Sequence, residues 1–195
     1  GPNDPNYLTY DTQLRRRNVE GGPRISEYTA RYYNFSLGFK GDIADNYQWD
    51  VMGSYGKSDQ VQVQKGYWLK SRFRQSLLSG PDGCNDGSSG CLPVDFFGPT
   101  GSITPEMNAF LAGGESNVST IFDMTQLKGS FTGNLGLKLP TASDSISFAL
   151  GAEYRDYKGE QASDILSQSG DLGGGGSASP NIQGGYDVVE GVIEV

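Results

Sequence analysis

Histidine is absent from the 195 residues of this chain, and cysteine occurs only twice. The first absence removes the commonest general base and the commonest metal ligand. Basic residues are also few, since 15 Lys and Arg face 23 Asp and Glu and give a formal net charge of −8. This balance excludes a cationic surface for nucleic acid. We expect no enzyme, no metal site, no cofactor and no nucleic-acid partner.

Long apolar runs are missing as well. No segment approaches the roughly 18 apolar residues that a membrane-spanning helix requires, and the mean hydropathy is −0.47. A helical span is therefore excluded. Spanning by the strands of a barrel is compatible with this value, because every second residue of such a strand is polar.

The two cysteines, Cys84 and Cys91, lie in a segment rich in Gly, Ser and Asp. We predict that they form a local disulfide in an oxidising compartment. Closing so short a loop constrains the unfolded chain by roughly 2–3 kcal/mol. A zinc site would need further ligands, and none cluster nearby.

Six segments alternate between apolar and polar residues with the period of two that is typical of strands. Phe35, Leu37 and Phe39 share one face of the second segment, and the residues between them share the other. The predicted strands are residues 7–17, 28–41, 47–63, 119–139, 146–160 and 186–195.

The connections between these segments alternate in length. Two are short, at residues 42–46 and 140–145, and three are long, at 18–27, 64–118 and 161–185. Antiparallel neighbours joined in this way place the short turns at one end of the sheet and the long loops at the other. Outer-membrane barrels have this asymmetry, with short periplasmic turns and long extracellular loops. We therefore predict an all-β fold, an up-and-down antiparallel meander of about six long strands of a transmembrane β-barrel.

The faces of the predicted strands agree with that fold. The apolar rows of the second to fifth strands carry no charge, and a charge that faces lipid near the bilayer midplane costs roughly 2–4 kcal/mol. Aromatic residues lie near the ends of these rows, as in an interfacial girdle. The alternative is a soluble antiparallel sandwich, which also alternates. Strands longer than ten residues and the sorting of the loops favour the barrel.

The longest connection, residues 64–118, is expected to be a structured extracellular loop with short helices. Residues 69–78 have apolar side chains at helical spacing. Thr104 is a candidate N-cap, and Pro105 follows it in the first helical position. The glycine run at 173–176, in the last connection, is expected to be flexible.

Four residues at the base of the longest loop are candidate ligand contacts, because aromatic rings stack on ligands and arginines bind anionic groups. They are Tyr67, Trp68, Arg72 and Arg74. The alternative for all four is packing within the loop.

Arg15 and Arg17 fall on the predicted interior row of the first strand, and they are also candidate ligand contacts for an anionic molecule. Pairing with Glu20 or with an interior carboxylate such as Glu153 is the preferred alternative, because barrel interiors commonly balance charge internally. We likewise expect Glu153 and Glu190 to belong to an interior charge network rather than to an acid–base pair.

Four short motifs follow one another along the chain. They are residues 15–24 (RRRNVEGGPR), 94–104 (VDFFGPTGSIT), 148–155 (FALGAEYR) and 186–190 (YDVVE). In this order and spacing they resemble the barrel region of large TonB-dependent receptors of proteobacteria. The resemblance extends from about Leu14 to Val195.

The resemblance implies that residues 1–195 are part of a 22-stranded barrel in the outer membrane of a Gram-negative bacterium. It implies energy-coupled uptake of a ferric siderophore, cobalamin or an oligosaccharide through TonB, with outer-membrane lipid and an N-terminal plug as further partners. No plug or TonB-contacting box is visible and the chain does not open with Met, so we expect a fragment. The competing function is a soluble or surface-exposed β-sheet binding or adhesin module without a transport role.

Overall fold

The computed structural model describes residues 3, 5, 16, 17, 19–80, 83–85 and 90–195. Within this part of the chain the strands are β1 (Ile25–Ile43), β2 (Tyr47–Lys65), β3 (Ser79–Gly80), β4 (Gly83–Cys84), β5 (Ser116–Lys138), β6 (Ser145–Ser163) and β7 (Ile182–Glu194). The five long strands form one antiparallel sheet in the order β1-β2-β5-β6-β7, while β3 and β4 pair only with each other. The sheet is an up-and-down meander whose edges, β1 and β7, are open in the described part of the chain.

Three short helices lie in the loops, namely α1 (Lys70–Leu77), α2 (Pro105–Leu111) and α3 (Ile165–Ser169). The two helices of the longest loop are confirmed at the predicted positions. Thr104 caps α2 by accepting a hydrogen bond from the backbone N–H of Met107 at 3.3 Å. The third helix was missed, although Asp164 caps it by accepting from the N–H of Ser167 at 2.7 Å. Within the described residues, the helices are all too short and too polar to cross a membrane.

The predicted meander is confirmed for five of the six strands. Most of the first predicted strand, residues 7–17, lies outside the described residues. The other strands extend a few residues beyond their predicted limits at the long-loop end, where Ser26 pairs with Gln64. There both faces are polar, so the alternation fades while the backbone ladder continues.

Turn lengths are sorted between the two ends of the sheet. The chain passes from β1 to β2 through the 3₁₀ turn Ala44–Asn46, in which Ala44 has a φ of 52°. It passes from β5 to β6 at the same end, where Lys138 pairs with Ser145. Both long connections of the five-stranded sheet leave from the opposite end. The described residues of both long connections therefore lie beyond the same rim of the sheet.

The buried core lies in the loops and not against the sheet. Val94, Phe96, Ile103 and Leu111 are buried, and they form what we call the loop core. The partly buried side chains that pack against the loop core are Trp68, Phe73, Met107 and Phe110. No large apolar side chain of the five long strands is buried in the described chain. Folding of the sheet therefore leaves its apolar side chains uncovered.

Three rings cover a glycine near the short-turn end. Tyr47 stacks on Phe131 with centroids 5.8 Å apart, and Phe148 lies 5.6 Å from Phe131. A Cβ at Gly133 would approach Tyr47 Cε1 to 2.9 Å and Phe148 Cε1 to 3.0 Å. The missing side chain thus makes room for the ring cluster, and the rings shield the backbone at the glycine.

Replacement of this glycine tests the ring cluster. Gly133→Ala is expected to lower the free energy of unfolding by about 1–3 kcal/mol, because the new methyl group must displace Tyr47 from its stack. In the control Gly129→Ala, on the same strand and face, the added Cβ meets its nearest neighbour at 3.8 Å. That change should stay below about 1 kcal/mol. Equilibrium urea unfolding measures both, and equal effects would refute the assigned role of the rings.

Candidate functional site

One face of the sheet is apolar across all five long strands. We define this apolar face by Phe35, Leu37, Phe39, Trp49, Val51, Tyr55, Leu127, Phe131, Phe148, Leu150, Tyr154, Val189 and Ile193. The strand register places these side chains in continuous rows, for example Leu127 opposite Tyr154 and Tyr154 opposite Val189. Phe35 is 68% exposed and Val189 is 77% exposed. A large apolar surface of this kind requires an apolar partner.

Charge limits the apolar face at the long-loop end. On the same side of the sheet, Lys57 lies 4.0 Å from Asp123, and Lys158 lies 3.1 Å from Asp156. The hydroxyl of Tyr55 donates to Asp123 at 2.5 Å. Closer to the short turns, the apolar face carries no charged residue. On β2 and β6 the apolar row therefore ends in a tyrosine, Tyr55 or Tyr154, and then in an ion pair.

The opposite side of the sheet, which we call the polar face, carries a hydrogen-bonded chain of side chains. Ser54 donates to Gln126 Oε1 at 3.0 Å, and Gln126 donates to Glu153 Oε1 at 2.7 Å. Arg155 Nε lies 2.9 Å from Glu153, and the same guanidinium pairs with Glu190. Arg155 thus joins Glu153 and Glu190 in one charge network, while its place in a barrel interior stays a prediction. The charged residues of this network lie level with the part of β6 whose opposite side belongs to the apolar face and carries no charge.

Two of the predicted ligand contacts, Tyr67 and Trp68, pack at the base of the loops. Tyr67 is buried, and the guanidinium of Arg24 lies 5.5 Å from its ring centroid. Trp68 Nε1 donates to Asn108 Oδ1 at 3.0 Å, and its ring meets Phe96 edge-on. These contacts favour the alternative, packing within the loop.

The two arginines of α1 differ in their surroundings. Arg72 donates to the carbonyl oxygens of Phe110 at 2.6 Å and of Ala112 at 3.2 Å, so its guanidinium closes the end of α2. Arg74 is exposed and borders a shallow pocket of about 400 Å³ beside Leu77. A ligand-binding role remains a prediction for Arg74, whereas Arg72 has a structural one.

Arg16, which lies between the predicted contacts Arg15 and Arg17, holds the longest loop in place. Arg16 pairs with Glu20 at 2.5 Å and donates to the carbonyl oxygens of Phe96 at 3.2 Å and Gly98 at 2.7 Å. Arg15 lies outside the described residues, and Arg17 is exposed. Glu20 is therefore paired with Arg16, while the expected pairing of Arg15 falls outside the described residues. The four-residue spacing between Arg16 and Glu20 could have indicated this ion pair from the sequence.

The Arg16–Glu20 pair also connects two of the four sequence motifs. Glu20 Oε1 accepts a hydrogen bond from the N–H of Gly101 at 3.0 Å. This hydrogen bond is the largest of the interactions that hold the pKa of Glu20 below its ordinary value of 4.5, and the hydrogen bond from Arg16 contributes less. Asp95 organises the same loop by accepting from the N–H groups of Phe97 and Gly98, each at 2.9 Å. The motifs at 15–24 and 94–104 are thus one structural unit.

The predicted disulfide between Cys84 and Cys91 is present, with Cα atoms 6.0 Å apart. It lies next to the hairpin of β3 and β4. Among the residues that the structure describes, no group of three Cys, Asp or Glu side chains is placed to hold a metal ion. The glycine run at 173–176 makes specific contacts, since the N–H of Gly173 donates to the carbonyl of Trp68 at 2.7 Å.

A cleft of about 750 Å³ on the polar face was not predicted. Phe122, Tyr157 and Tyr186 line it near the long-loop end, together with Gly159 and Gly184. Each of these three residues is the only aromatic side chain in its row on its own strand. The three aromatic residues can be recognised as one cluster only when the register of the strands is known.

The low pKa of Glu20 has a consequence for the loop at 96–101. A carboxyl whose pKa is lower in the folded state stabilises that state when ionised, so its contribution is complete above pH 4.5 and is lost as the pH falls through the lower folded value. We expect the amide proton of Gly101 to titrate with a midpoint below 4.5 in NMR spectra. Glu20→Gln should abolish this titration, whereas Asp95→Asn should leave it intact. A midpoint at or above 4.5 would contradict the contact.

Comparison of the chain with models of protein families, with curated proteins and with solved structures finds no match. A function must therefore be inferred from the two faces of the sheet, from the loops above its rim and from the resemblance of the four motifs.

Proposed function

We propose that this chain is part of the wall of an outer-membrane β-barrel that takes up a scarce nutrient. The observation that carries the proposal is the division of the sheet into an exposed apolar face and a charged polar face at the same height. The apolar side chains would contact lipid, and the polar side chains would line a wet bore.

The dimensions of the apolar face support a membrane span. The apolar rows run over residues 33–43 in β1, 47–55 in β2 and 146–154 in β6. Each is close to the ~9–11 residues with which a tilted strand crosses the hydrocarbon core. Tyr55 and Tyr154 stand where a girdle of aromatic residues meets the membrane interface.

Burial distinguishes this proposal from a soluble sandwich. A sandwich covers its apolar rows with a second sheet about 10 Å away. In the described chain, the second sheet is only the two-residue pairing of β3 with β4. Leu37 and Ile193 remain 67% and 79% exposed. A covering partner must therefore be apolar and broad, and a lipid bilayer meets both conditions.

The open edges of the sheet favour a larger barrel. The outer side of β1 and that of β7 present unpaired backbone groups in the described chain. Each such group costs several kcal/mol in hydrocarbon, so strands outside the described sheet must pair with these edges. Closure around a bore agrees with the resemblance to the 22-stranded TonB-dependent receptors, whose plug and TonB contact would provide energy for uptake.

The loop core is consistent with an outward-facing mouth. It lies within the longest connection, and hydrogen bonds from Lys70 and Ser71 to Asp171 join that connection to the other one above the same rim. Both are positioned there to select what enters the bore. The rival function, a surface-exposed binding or adhesin module, would use the same loops but would have no need of an uncovered apolar face.

The two tryptophans of the chain provide a direct test of membrane contact. Trp49 lies on the apolar face, and Trp68 packs in the loops. After refolding into vesicles, the fluorescence of Trp68→Phe, which retains Trp49, should be strongly quenched by lipids brominated on their acyl chains. The fluorescence of Trp49→Phe, which retains Trp68, should be nearly unchanged. Equal quenching of both variants, or of neither, would defeat the proposal.

Charge insertion tests which face meets lipid. Val51 and Met52 are adjacent on β2 and belong to opposite faces of the sheet. Val51→Arg is expected to destabilise the folded chain in vesicles by about 2–4 kcal/mol, whereas Met52→Arg should cost less than about 1 kcal/mol, because its side chain reaches water. Urea titration of the vesicle-bound protein measures both. In a soluble module Val51→Arg would be neutral, and that outcome would favour the adhesin alternative.

A further inference from the structure

The cleft on the polar face is floored by aromatic side chains. Tyr157 and Tyr186 are paired across β6 and β7, and their rings stack with centroids 4.9 Å apart. Phe122 lies on the neighbouring strand and is 59% exposed. Met124 and Ile182 lie beside these rings on the same side of the sheet, so the cleft has an apolar floor within the polar face. Such a floor needs a reason, because the bore proposed above is filled with water.

Glycines shape the groove between these rings. In the row that contains Phe122, the next two positions are Gly159 on β6 and Gly184 on β7. A Cβ at Gly159 would lie 3.1 Å from Phe122 Cε1, so the ring leans over this glycine. A Cβ at Gly184 would meet no atom within 4 Å. The groove is therefore open beside Phe122 and bordered by the tyrosine pair.

The hydrogen-bonding groups around the groove are uncharged. Ser58 and Thr120 border it, and Tyr32 contributes an exposed ring and hydroxyl. The charged residues Asp123, Lys158 and Glu160 also border the cleft, but the alternation of the strands directs their side chains to the opposite face.

The nearby charge on the polar face is already paired. Arg155, the next residue on this face toward the short turns, is bound to Glu153 and Glu190. An anionic iron complex would find no unpaired cation among the described residues that line the cleft. A neutral ligand needs no cationic partner in the cleft.

The spacing of the rings decides between two kinds of neutral ligand. A flat aromatic molecule held between two rings needs them about 7 Å apart, twice a van der Waals contact. Tyr157 and Tyr186 stack directly on each other and leave no such slot. A sugar ring instead lies on a single aromatic surface through its C–H face and extends its hydroxyls sideways to polar groups.

We propose that the cleft binds a neutral oligosaccharide. Its sugar rings lie on Phe122 and on the Tyr157–Tyr186 pair, and its hydroxyls bond with Tyr32, Ser58 and Thr120. The inference deepens the proposed function by naming the class of nutrient, and it rests on that function for its setting in an uptake route.

The test is a titration of the full chain, refolded in detergent micelles, with the neutral glucose oligomer maltohexaose. Fluorine-labelled tyrosine reports binding through its NMR shifts. We expect a saturable response with a dissociation constant on the order of 1 mM. Tyr157→Ala should weaken binding at least about fivefold through loss of the stacking surface, while Tyr157→Phe should retain it. Tyr154→Ala is the matched control, because Tyr154 lies three residues away on the apolar face.

A second variant keeps the test independent of folding defects. Gly184→Leu fills the groove where an added side chain has free space, so it should abolish binding while leaving the sheet intact. Absence of saturable binding to the wild-type chain, equal weakening by Tyr154→Ala, or tighter binding of an anionic ferric catecholate would each overturn the inference. The titration needs no bilayer. If the chain binds the sugar but Trp49 is not quenched by brominated lipid, the membrane proposal alone is refuted. If Trp49 is quenched but the sugar does not bind, only the oligosaccharide proposal is refuted.

Discussion

The strict alternation of side chains in register across five strands is the constraint on which the rest of this structure depends. A slip of one residue between β2 and β5 would exchange the two faces and place Lys128 and Gln126 among the apolar side chains. The register of β1 and β2 is unbroken up to their short turn, whereas that of β5 and β6 shifts between Asn134 and Lys138, beside their own turn. The apolar face and the polar network are two results of this one pairing, since Glu153 and Tyr154 are neighbours that point in opposite directions.

The fold is unusual in where it buries apolar area. The loops possess the compact core, in which Leu111 is fully buried, while the sheet is held by its backbone ladder and by cross-strand pairs. Such a sheet would be a poor structure in water, because its largest apolar surface remains uncovered. It becomes favourable when the solvent on one side is itself apolar. The distribution of buried residues therefore says more about the environment of the chain than the average hydropathy does.

The sequence alone predicts the long strands well, because each has a strong local pattern that does not depend on its neighbours. Phe35, Leu37 and Phe39 show their face directly. The loop side chains were harder to assign, since Arg72 and Arg74 look equivalent in the sequence and only the position of α2 separates them. The cleft was inaccessible for a related reason. Phe122 and Tyr157 are far apart along the chain and each is the only ring in its row, so only the register brings them together.

Hydrogen bonds join the described parts of the two long connections above one rim of the sheet. The N–H of Lys70 donates to the carbonyl of Asp171 at 2.8 Å, and the side chain of Ser71 bonds with the carboxylate of Asp171. Leu172 is buried beside this junction. The two long connections of the described sheet are thus interlocked across about a hundred positions of sequence. A change in one connection at this junction would leave the polar groups of the other without their partners, so the two connections would have to diversify by paired changes.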